Sequence, residues 1–363
     1  MTPSDVPWRP DQHTLAKERL YRKYVGKWMP IMVRGYGGDV TYAEGFAGPG
    51  IYADGSPGSP VIALRCLLEQ RGLEAIAKQK PVRLLFVDKD SRCTKLLQER
   101  LAVAANGVQP AELARHGIDV EIVTGTCEPD LTETLTRHHA WGRPMLVVLD
   151  TWGSAVPLDL VRRVARNGHS EVLITIKPQF FSRFAEAKNV QHGDAVFGGD
   201  LWRQVAAQPA AQKARWLLQH YRDVIRDAGF EHVLDFELMT DRGEALYLVF
   251  GTTHTRGLEK MKEAMWEVDE VAGIGYRDPR DPDQQTLEIE VEPQTAPLRR
   301  LLRNYLLLQE ARRVRVEELR AFAFLNTVYK KSQVLPVLRA MHEAGELAAD
   351  QTRVGFSSSV WIS

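Results

Sequence analysis

The sequence lacks the features of a secreted or membrane-spanning protein. Its 363 residues include only three cysteines, Cys66, Cys93 and Cys127, which show no C-x-x-C spacing. An odd, scattered set of this kind predicts neither a disulfide framework nor a zinc site. No run of about 18 apolar residues occurs, and the amino-terminal stretch has no apolar core of signal-peptide length. We therefore expect a cytoplasmic protein with no membrane-spanning segment and no bound metal.

The chain also has no net excess of positive or negative charge, because its 47 basic and 47 acidic residues cancel. The charge is unevenly placed, however. From Leu298 onward there are 11 basic and 6 acidic residues, a net charge of +5, against −5 for the residues before it. The breaker-rich stretch RDPRDPDQQT lies just ahead of this change. The sequence thus predicts two domains, residues 1–292 and residues 298–363.

Short apolar runs separated by helix-like segments dominate the first domain. Because the runs are nearly continuous rather than alternating, they predict parallel strands that are buried on both faces of a sheet. The predicted strands are Val40–Ala43, Val82–Val87, Val120–Val123, Met145–Leu149 and Val172–Ile176.

Two further runs break this rhythm. HVLDFELMT and ALYLVFGTT are separated only by DRGE, which is too short for a crossover helix and predicts an antiparallel hairpin. A helical insert is expected at about 178–232, and a helix at Gly257–Val268. Five parallel strands closed by an antiparallel hairpin are typical of the Rossmann-like sheet of class I methyltransferases. The order helix, helix, helix, hairpin after Leu298 predicts a small winged helix-turn-helix domain.

The stretch YAEGFAGPGIYADGSPGSP follows the first predicted strand, at the sheet edge where open α/β folds bind ligands. Gly45, Gly48 and Gly50 give G-x-x-G-x-G, whereas a dinucleotide fingerprint needs G-x-G-x-x-G. No lysine follows Gly55 or Gly58, which excludes a Walker A loop. Ser59 and Pro60 predict the N-cap and first turn of a helix over residues 61–76.

An acidic residue at the strand end, followed by this turn, is how the nucleoside loop of a methyltransferase begins. Asp88 at the end of the second strand is placed to accept both ribose hydroxyls of S-adenosylmethionine. The alternative is a turn cluster beside a solvated acid. The residues predicted to bind S-adenosylmethionine are Glu44, Gly45, Phe46, Ala47, Gly48, Gly50, Asp88 and Thr126.

FAGPGIYADGSPGSPVIAL, DTWG at 150–153 and GTTHTRGLEKMKEAMW at 251–266 together resemble the three-Cys-motif partner proteins, the TcmP family. The resemblance covers most of the first 290 residues, and the tail resembles the winged helix of many members. It implies a methyltransferase-like fold and a partner, a radical-S-adenosylmethionine-like protein that carries the three-cysteine motif. The chemistry of this family is poorly defined, so the resemblance implies a fold more clearly than a reaction.

Asp150 and Trp152 are the candidate catalytic residues, because DTWG stands where amino-directed methyltransferases carry D-P-P-Y or a relative. There the acid accepts hydrogens from the target amine and the aromatic ring stacks on a base. Thr151 replaces the expected proline and Gly153 the second aromatic residue, which weakens the case for base methylation.

Other polar residues are candidates for contact with a substrate or nucleic acid. His13 and Lys17 lie four residues apart on one face of an amino-terminal helix. For His13 and Lys17 the alternative is an amphipathic helix whose polar face is solvated. For Lys177 the alternative is a solvated lysine at a strand end. The winged helix is as consistent with protein docking as with phosphate contacts. The candidates are His13, Lys17, Tyr52, Lys177, Lys330 and Lys331.

Three functions remain open from the sequence. The first is an S-adenosylmethionine-dependent methyltransferase that modifies a nucleic acid or nucleotide-like target. The second is a non-catalytic docking module with a degenerate methyltransferase fold. The third is a metal-dependent, nuclease-like activity that uses Glu44, Asp88 and Asp150 as ligands.

Overall fold

The structure is a computed structural model of the chain. It describes residues 5–10, 12–70, 72, 75–76, 79–151, 156–185, 191–239, 245–269, 275–276, 295–309 and 313–362. The described residues divide into two compact units. The first contains the residues up to Lys260 together with Tyr276, and the second contains those of 261–275 and those from Thr295 onward.

One large sheet forms the framework of the first unit. Its strands are β1 (Val40–Glu44), β2 (Val82–Asp88), β3 (Ile118–Thr124), β4 (Met145–Leu149), β5 (Ser170–Ile176), β6 (His232–Met239), β7 (Ala245–Thr252) and β8 (Gly275–Tyr276). They are arranged in the order β3-β2-β1-β4-β5-β7-β6-β8. β1 to β5 are parallel, and β7 is antiparallel to both β5 and β6. This is the predicted methyltransferase-like sheet, so the predicted fold class of the first domain is confirmed, whereas the winged helix-turn-helix domain stays a prediction.

The apolar runs become strands because they are covered on both faces. Every residue of β1, β4 and β5 is buried, as expected for the centre of a parallel sheet with helices on either side. β3 begins at Ile118, two residues before the predicted start, and β5 begins at Ser170. The DRGE connection of the hairpin lies outside the described residues.

Helices cover the sheet and form the predicted insert. The insert region packs an aromatic cluster in which the rings of Phe197 and Trp202 stack with centroids 5.6 Å apart. The helices of the first unit, the last of which continues into the second, are α1 (Gln12–Tyr36), α2 (Ser59–Leu68), α3 (Ser91–Ala104), α4 (Thr132–Arg137), α5 (Leu158–Arg166), α6 (Pro178–Phe184), α7 (Gln191–Phe197), α8 (Lys213–Asp227) and α9 (Thr255–Val268).

α2 differs from its prediction at both ends. Gly58, rather than Ser59, is the N-cap residue, and Ser59 is the first helical residue. The hydroxyl of Ser59 donates a hydrogen bond to Glu44 (2.8 Å) instead of capping the helix. The helix ends at Leu68 rather than at Ile76.

The second unit is built from α10 (Ala296–Leu308), β9 (Arg313–Arg315), α11 (Val316–Asn326), α12 (Lys331–Glu343), β10 (Leu347–Ala349) and β11 (Ser359–Ile362). The strands form an antiparallel sheet of order β10-β11-β9, and the sequence had not indicated β9. The end of α9 belongs to this unit, because Trp266 packs in its core and donates from Nε1 to the carbonyl oxygen of Val328 (2.9 Å). The predicted boundary stretch, residues 277–294, lies outside the described residues.

None of the described helices is long and apolar enough to cross a membrane.

Candidate functional site

A cavity of about 410 Å³ opens at the carboxyl ends of the parallel strands. Parallel strands end at one edge of a sheet, so residues far apart in sequence meet there. Each of the five parallel strands contributes to the wall. The contributors are the Gly45–Gly50 loop after β1, Asp88 at the end of β2, Gly125 and Thr126 after β3, Asp150 and Thr151 after β4, and Lys177 after β5.

The glycine-rich loop is fixed against β2 by the carboxylate of Asp88. Gly48 and Gly50 have φ of +63° and +71°, values that residues with a side chain rarely adopt. The Gly48 N–H donates to Oδ2 of Asp88 (2.8 Å), and the Asp90 N–H donates to Oδ1 (2.9 Å). A Cβ at Gly50 would lie 2.6 Å from Cδ1 of Leu97, so only glycine lets the loop pack so closely on α3. The loop backbone and one carboxylate therefore share a wall of the cavity.

The side chain of Glu44 does not line the cavity, unlike the loop that follows it. Its side chain is 1% exposed and is not part of the cavity wall. It accepts hydrogen bonds from the hydroxyls of Tyr42 (2.7 Å) and Ser59 (2.8 Å). Burial raises the pKa of Glu44 to about 8, although both hydrogen bonds lower it. Glu44 therefore joins β1 to α2 beneath the loop.

Asp150 forms an ion pair with Lys17 of α1. Oδ2 of Asp150 accepts from Nζ of Lys17, and the two side chains are 17% and 10% exposed. Burial lowers the pKa of Lys17, but the charges of Asp150 and Glu18 outweigh it, so this pKa lies above its usual value. Burial raises the pKa of Glu18 to about 7, and its carboxyl group accepts from the hydroxyl of Tyr52 (2.8 Å). α1 thus supplies a buried cation to the wall of the cavity beside Asp150.

The structure brings most of the predicted site residues to this one cavity. Four of the described predicted residues do not line it: Lys330 and Lys331 belong to the second unit, Glu44 is buried, and His13 is buried while its neighbour Thr14 reaches the wall. Trp152 lies outside the described residues. The predicted residues on the wall are Lys17, Gly45, Phe46, Ala47, Gly48, Gly50, Tyr52, Asp88, Thr126, Asp150 and Lys177.

Thr126 is tied into the turn that it begins. Its N–H donates to Oδ2 of Asp130 (2.7 Å), and its hydroxyl donates to the carbonyl oxygen of Glu128 (2.8 Å). These bonds fix the turn that borders the cavity next to β3.

Two aromatic residues of the wall were not predicted. The Trp8 ring would lie 3.3 Å from a Cβ at Gly48, and its carbonyl oxygen accepts from the Ala53 N–H (2.9 Å). Phe180, on α6 beside Lys177, is 40% exposed and lines the cavity. An aromatic residue one turn after a strand-end lysine was the available sequence signal for Phe180. No local pattern indicates Trp8, because its contact with the loop depends on the fold.

Lys330 and Lys331 lie in the second unit, where they cover aromatic rings. Nζ of Lys330 is 5.8 Å from the centroid of Trp266, and Nζ of Lys331 is 4.9 Å from that of Phe324. Such distances are typical of cation–π contacts. Both lysines are half-buried at the start of α12.

The strand order and the crevice at the carboxyl edge define a chain with a methyltransferase-like fold. No family model and no curated protein matches the chain, so the resemblance to the TcmP family stays a prediction.

Solved structures similar to this chain include three methylation-related proteins. The DszA carbon methyltransferase is 11% identical with a TM-score of 0.33, over 64% of this chain and 53% of that one. The O-methyltransferase TomG from Streptomyces achromogenes, solved with SAM, is 13% identical with a TM-score of 0.35, over 69% and 93%. The type IIL restriction-modification enzyme MmeI, solved with DNA, is 10% identical with a TM-score of 0.31, over 66% and 34%. The chain thus spans about half of the first protein and a third of the last.

Proposed function

We propose that this chain is an S-adenosylmethionine-dependent methyltransferase. The observation that carries the proposal is the glycine loop after β1, held by Asp88 over a cavity at the carboxyl edge of this sheet. A cavity of about 410 Å³ falls in the usual range for small-molecule sites.

The residues present suit this cofactor. Asp88 still has acceptor capacity for a diol, because each carboxylate oxygen accepts only one of the hydrogen bonds described above and has a second lone pair. The backbone of Gly45–Gly50 gives an amino-acid moiety close approach, and Gly125 with Thr126 borders the place for a base. S-adenosylmethionine supplies an electrophilic methyl group on a sulfonium.

The other side of the cavity suits a nucleophile carried by an anionic, nucleotide-like target. Asp150 accepts hydrogen bonds from an attacking amine. When no target is bound, Lys17 neutralises the charge of the Asp150 carboxylate. Lys177 favours a phosphate, and Phe180 offers an exposed ring for a base. Catalysis in such a site is chiefly the positioning of the nucleophile.

Titration calorimetry with S-adenosylmethionine tests the cofactor site. We expect micromolar binding by the intact chain, at least tenfold weaker binding by Asp88→Ala, and an intermediate loss in Asp88→Asn, which keeps one carbonyl acceptor. Glu99→Ala removes an exposed acid from α3 and serves as the matched control, with unchanged affinity. Tight binding retained in a folded Asp88→Ala variant would contradict the assignment.

A second candidate is a non-catalytic docking module of the TcmP type. The ion pair between Asp150 and Lys17 favours this candidate, because Lys17 occupies the carboxylate that was predicted to be catalytic. Two basic residues of the proposed winged helix are in contact with groups of the same unit. Arg299 pairs with Glu346 (2.5 Å), and Arg313 lies 5.0 Å from the ring of Trp361.

Exposed apolar side chains on α10 are in keeping with a protein partner, since Leu308 is 82% exposed. Absence of S-adenosylmethionine binding by the intact chain, together with co-purification with the three-Cys-motif protein, would favour this candidate. A nucleic-acid role of the winged helix would instead appear as salt-dependent binding of duplex DNA or RNA.

The metal-dependent alternative is not favoured by the described residues. Among them no group of three or more histidine, cysteine or acidic side chains is arranged to hold a metal ion. Glu44, one of its three proposed ligands, is bonded to two hydroxyls and has a pKa of about 8.

A further inference from the structure

A second cavity, of about 620 Å³, lies at the opposite edge of the sheet. It is bordered by Glu171 near the start of β5 and by Thr252 at the end of β7, which pair in register. Lys177, in the first cavity, follows the other end of β5. A seven-residue strand spans roughly 20 Å, so the two cavities are separate sites within the first unit.

The inner wall of this second cavity is apolar with a small polar cluster. Tyr24 and Trp28 of α1 line it and are almost fully buried. The hydroxyl of Tyr24 donates to Glu171, which also accepts from the hydroxyl of Thr252 (3.1 Å). Burial raises the pKa of Glu171 to about 7, so no full negative charge opposes an anion below neutral pH.

A polar atom of Trp28 lies behind this wall. Its indole Nε1 is buried and donates to no group among the described residues. Buried indole N–H groups usually find an acceptor.

The rim is basic. Arg34, Arg256 and Lys260 border the cavity, and Glu171 is its one acidic residue within the described chain. Arg256 belongs to the first turn of α9, whose amino end favours negative charge. His169 and His254 lie on the same rim, with ring centroids 6.3 Å apart. An apolar interior below a cationic rim is complementary to one class of ligand, an aromatic ring system that carries an anionic group.

We propose that this second cavity is a binding site for a small aromatic anion, with its ring between Trp28 and Tyr36 of α1 and its carboxylate, sulfonate or phosphate at Arg256 and Arg34. The site does not depend on the function proposed for the first cavity.

Fluorescence titration of the full chain with 8-anilinonaphthalene-1-sulfonate tests the proposal, since this probe is an aromatic anion that brightens in apolar surroundings. Gly35 lies on the cavity wall and no atom lies within 4 Å of where its Cβ would stand, so Gly35→Leu adds an apolar side chain to the wall with no clash at its Cβ. We expect Gly35→Leu and Arg256→Gln each to weaken binding at least tenfold, and Trp28→Phe about threefold or more. Gly26→Ala, a substitution in the same helix away from the cavity, is the matched control and should bind normally.

The uncharged probe N-phenyl-1-naphthylamine separates the ring from the charge. It should lose affinity in Gly35→Leu and retain it in Arg256→Gln. Sulfonate binding that is unchanged in Gly35→Leu would overturn the site. Equal effects of Arg256→Gln on both probes would overturn the role of the basic rim.

Discussion

Three buried glutamates distinguish this chain at the scale of single residues. Burial raises the pKa of Glu18 and Glu171 to about 7 and that of Glu44 to about 8. Each therefore binds its proton more tightly in the folded state than in the unfolded chain. The contribution of these three groups to the free energy of unfolding accordingly falls as the pH rises from about 4.5 to about 8, and the loss is complete above the folded-state pKa.

Glu44→Gln tests this dependence, because glutamine resembles the protonated carboxyl group and hydroxyls act as donor or acceptor. We expect the variant to match the parent near pH 5 and to exceed its free energy of unfolding by about 1 kcal/mol or more at pH 8.5. Urea unfolding across this pH range measures the difference. Glu99→Gln, on the exposed face of α3, should leave the pH profile unchanged. A Glu44→Gln profile parallel to that of the parent would contradict the expectation.

The pair of Lys17 and Asp150 shows where residue-level prediction succeeds and where it stops. Each was predicted as a site residue from its position in an element, one on a helix face and one at a strand end. Their contact joins positions 133 apart in sequence. No local pattern encodes it, because it depends on how α1 packs across the sheet.

At the scale of elements, the loop after β1 and the strands themselves were the most predictable features. Nearly continuous apolar runs could be satisfied only by burial on both faces, and glycine spacing excluded two phosphate-binding loops. Helix ends were less predictable. Ser59 has a capping side chain, but a buried carboxyl group competes for it, and Gly58 takes the N-cap position.

Gly50→Ala and Gly55→Ala separate backbone strain from packing in this loop. Both glycines have positive φ, but only Gly50 has a close neighbour, since nothing lies within 4 Å of a Cβ at Gly55. We expect Gly55→Ala to cost roughly 1 kcal/mol of stability. Gly50→Ala should cost clearly more and should also weaken S-adenosylmethionine binding, as measured by thermal unfolding and calorimetry. Equal losses of stability in the two variants would show that the packing around Leu97 adjusts to the added Cβ without a free-energy cost.

At the scale of the whole molecule, the second unit has a hydrophobic core of its own, and α9 contributes to it. Trp266 packs in the core of the second unit. Lys262 is 1% exposed and donates to the carbonyl oxygens of Phe324 (2.5 Å), Thr327 (2.6 Å) and Tyr329 (3.1 Å). A carboxyl-terminal fragment that lacks this segment loses a large apolar side chain and leaves carbonyl groups without their donor.

Two fragments test this contribution. Residues 255–363 should unfold cooperatively, whereas residues 298–363 should be less stable by several kcal/mol, because a large core residue and a buried donor are both removed. Circular dichroism during thermal unfolding measures both. The variant Trp266→Ala in the longer fragment is the matched control for the loss of packing and should fall between them. Equal stability of the two fragments would contradict the role assigned to α9.

The sequence by itself determined the strands of the sheet, the antiparallel hairpin and the position of the glycine-rich loop, because apolar periodicity and glycine spacing are local properties. Only the tertiary structure decided which side chains face the cavity. Glu44 lies at the predicted strand end, yet it points to the hydroxyls of Tyr42 and Ser59 rather than to the cavity. The second cavity was likewise not predictable, since α1, β5, β7 and α9 form it only after folding. Side-chain direction and burial depend on neighbours that are distant in sequence, and packing alone brings those neighbours together.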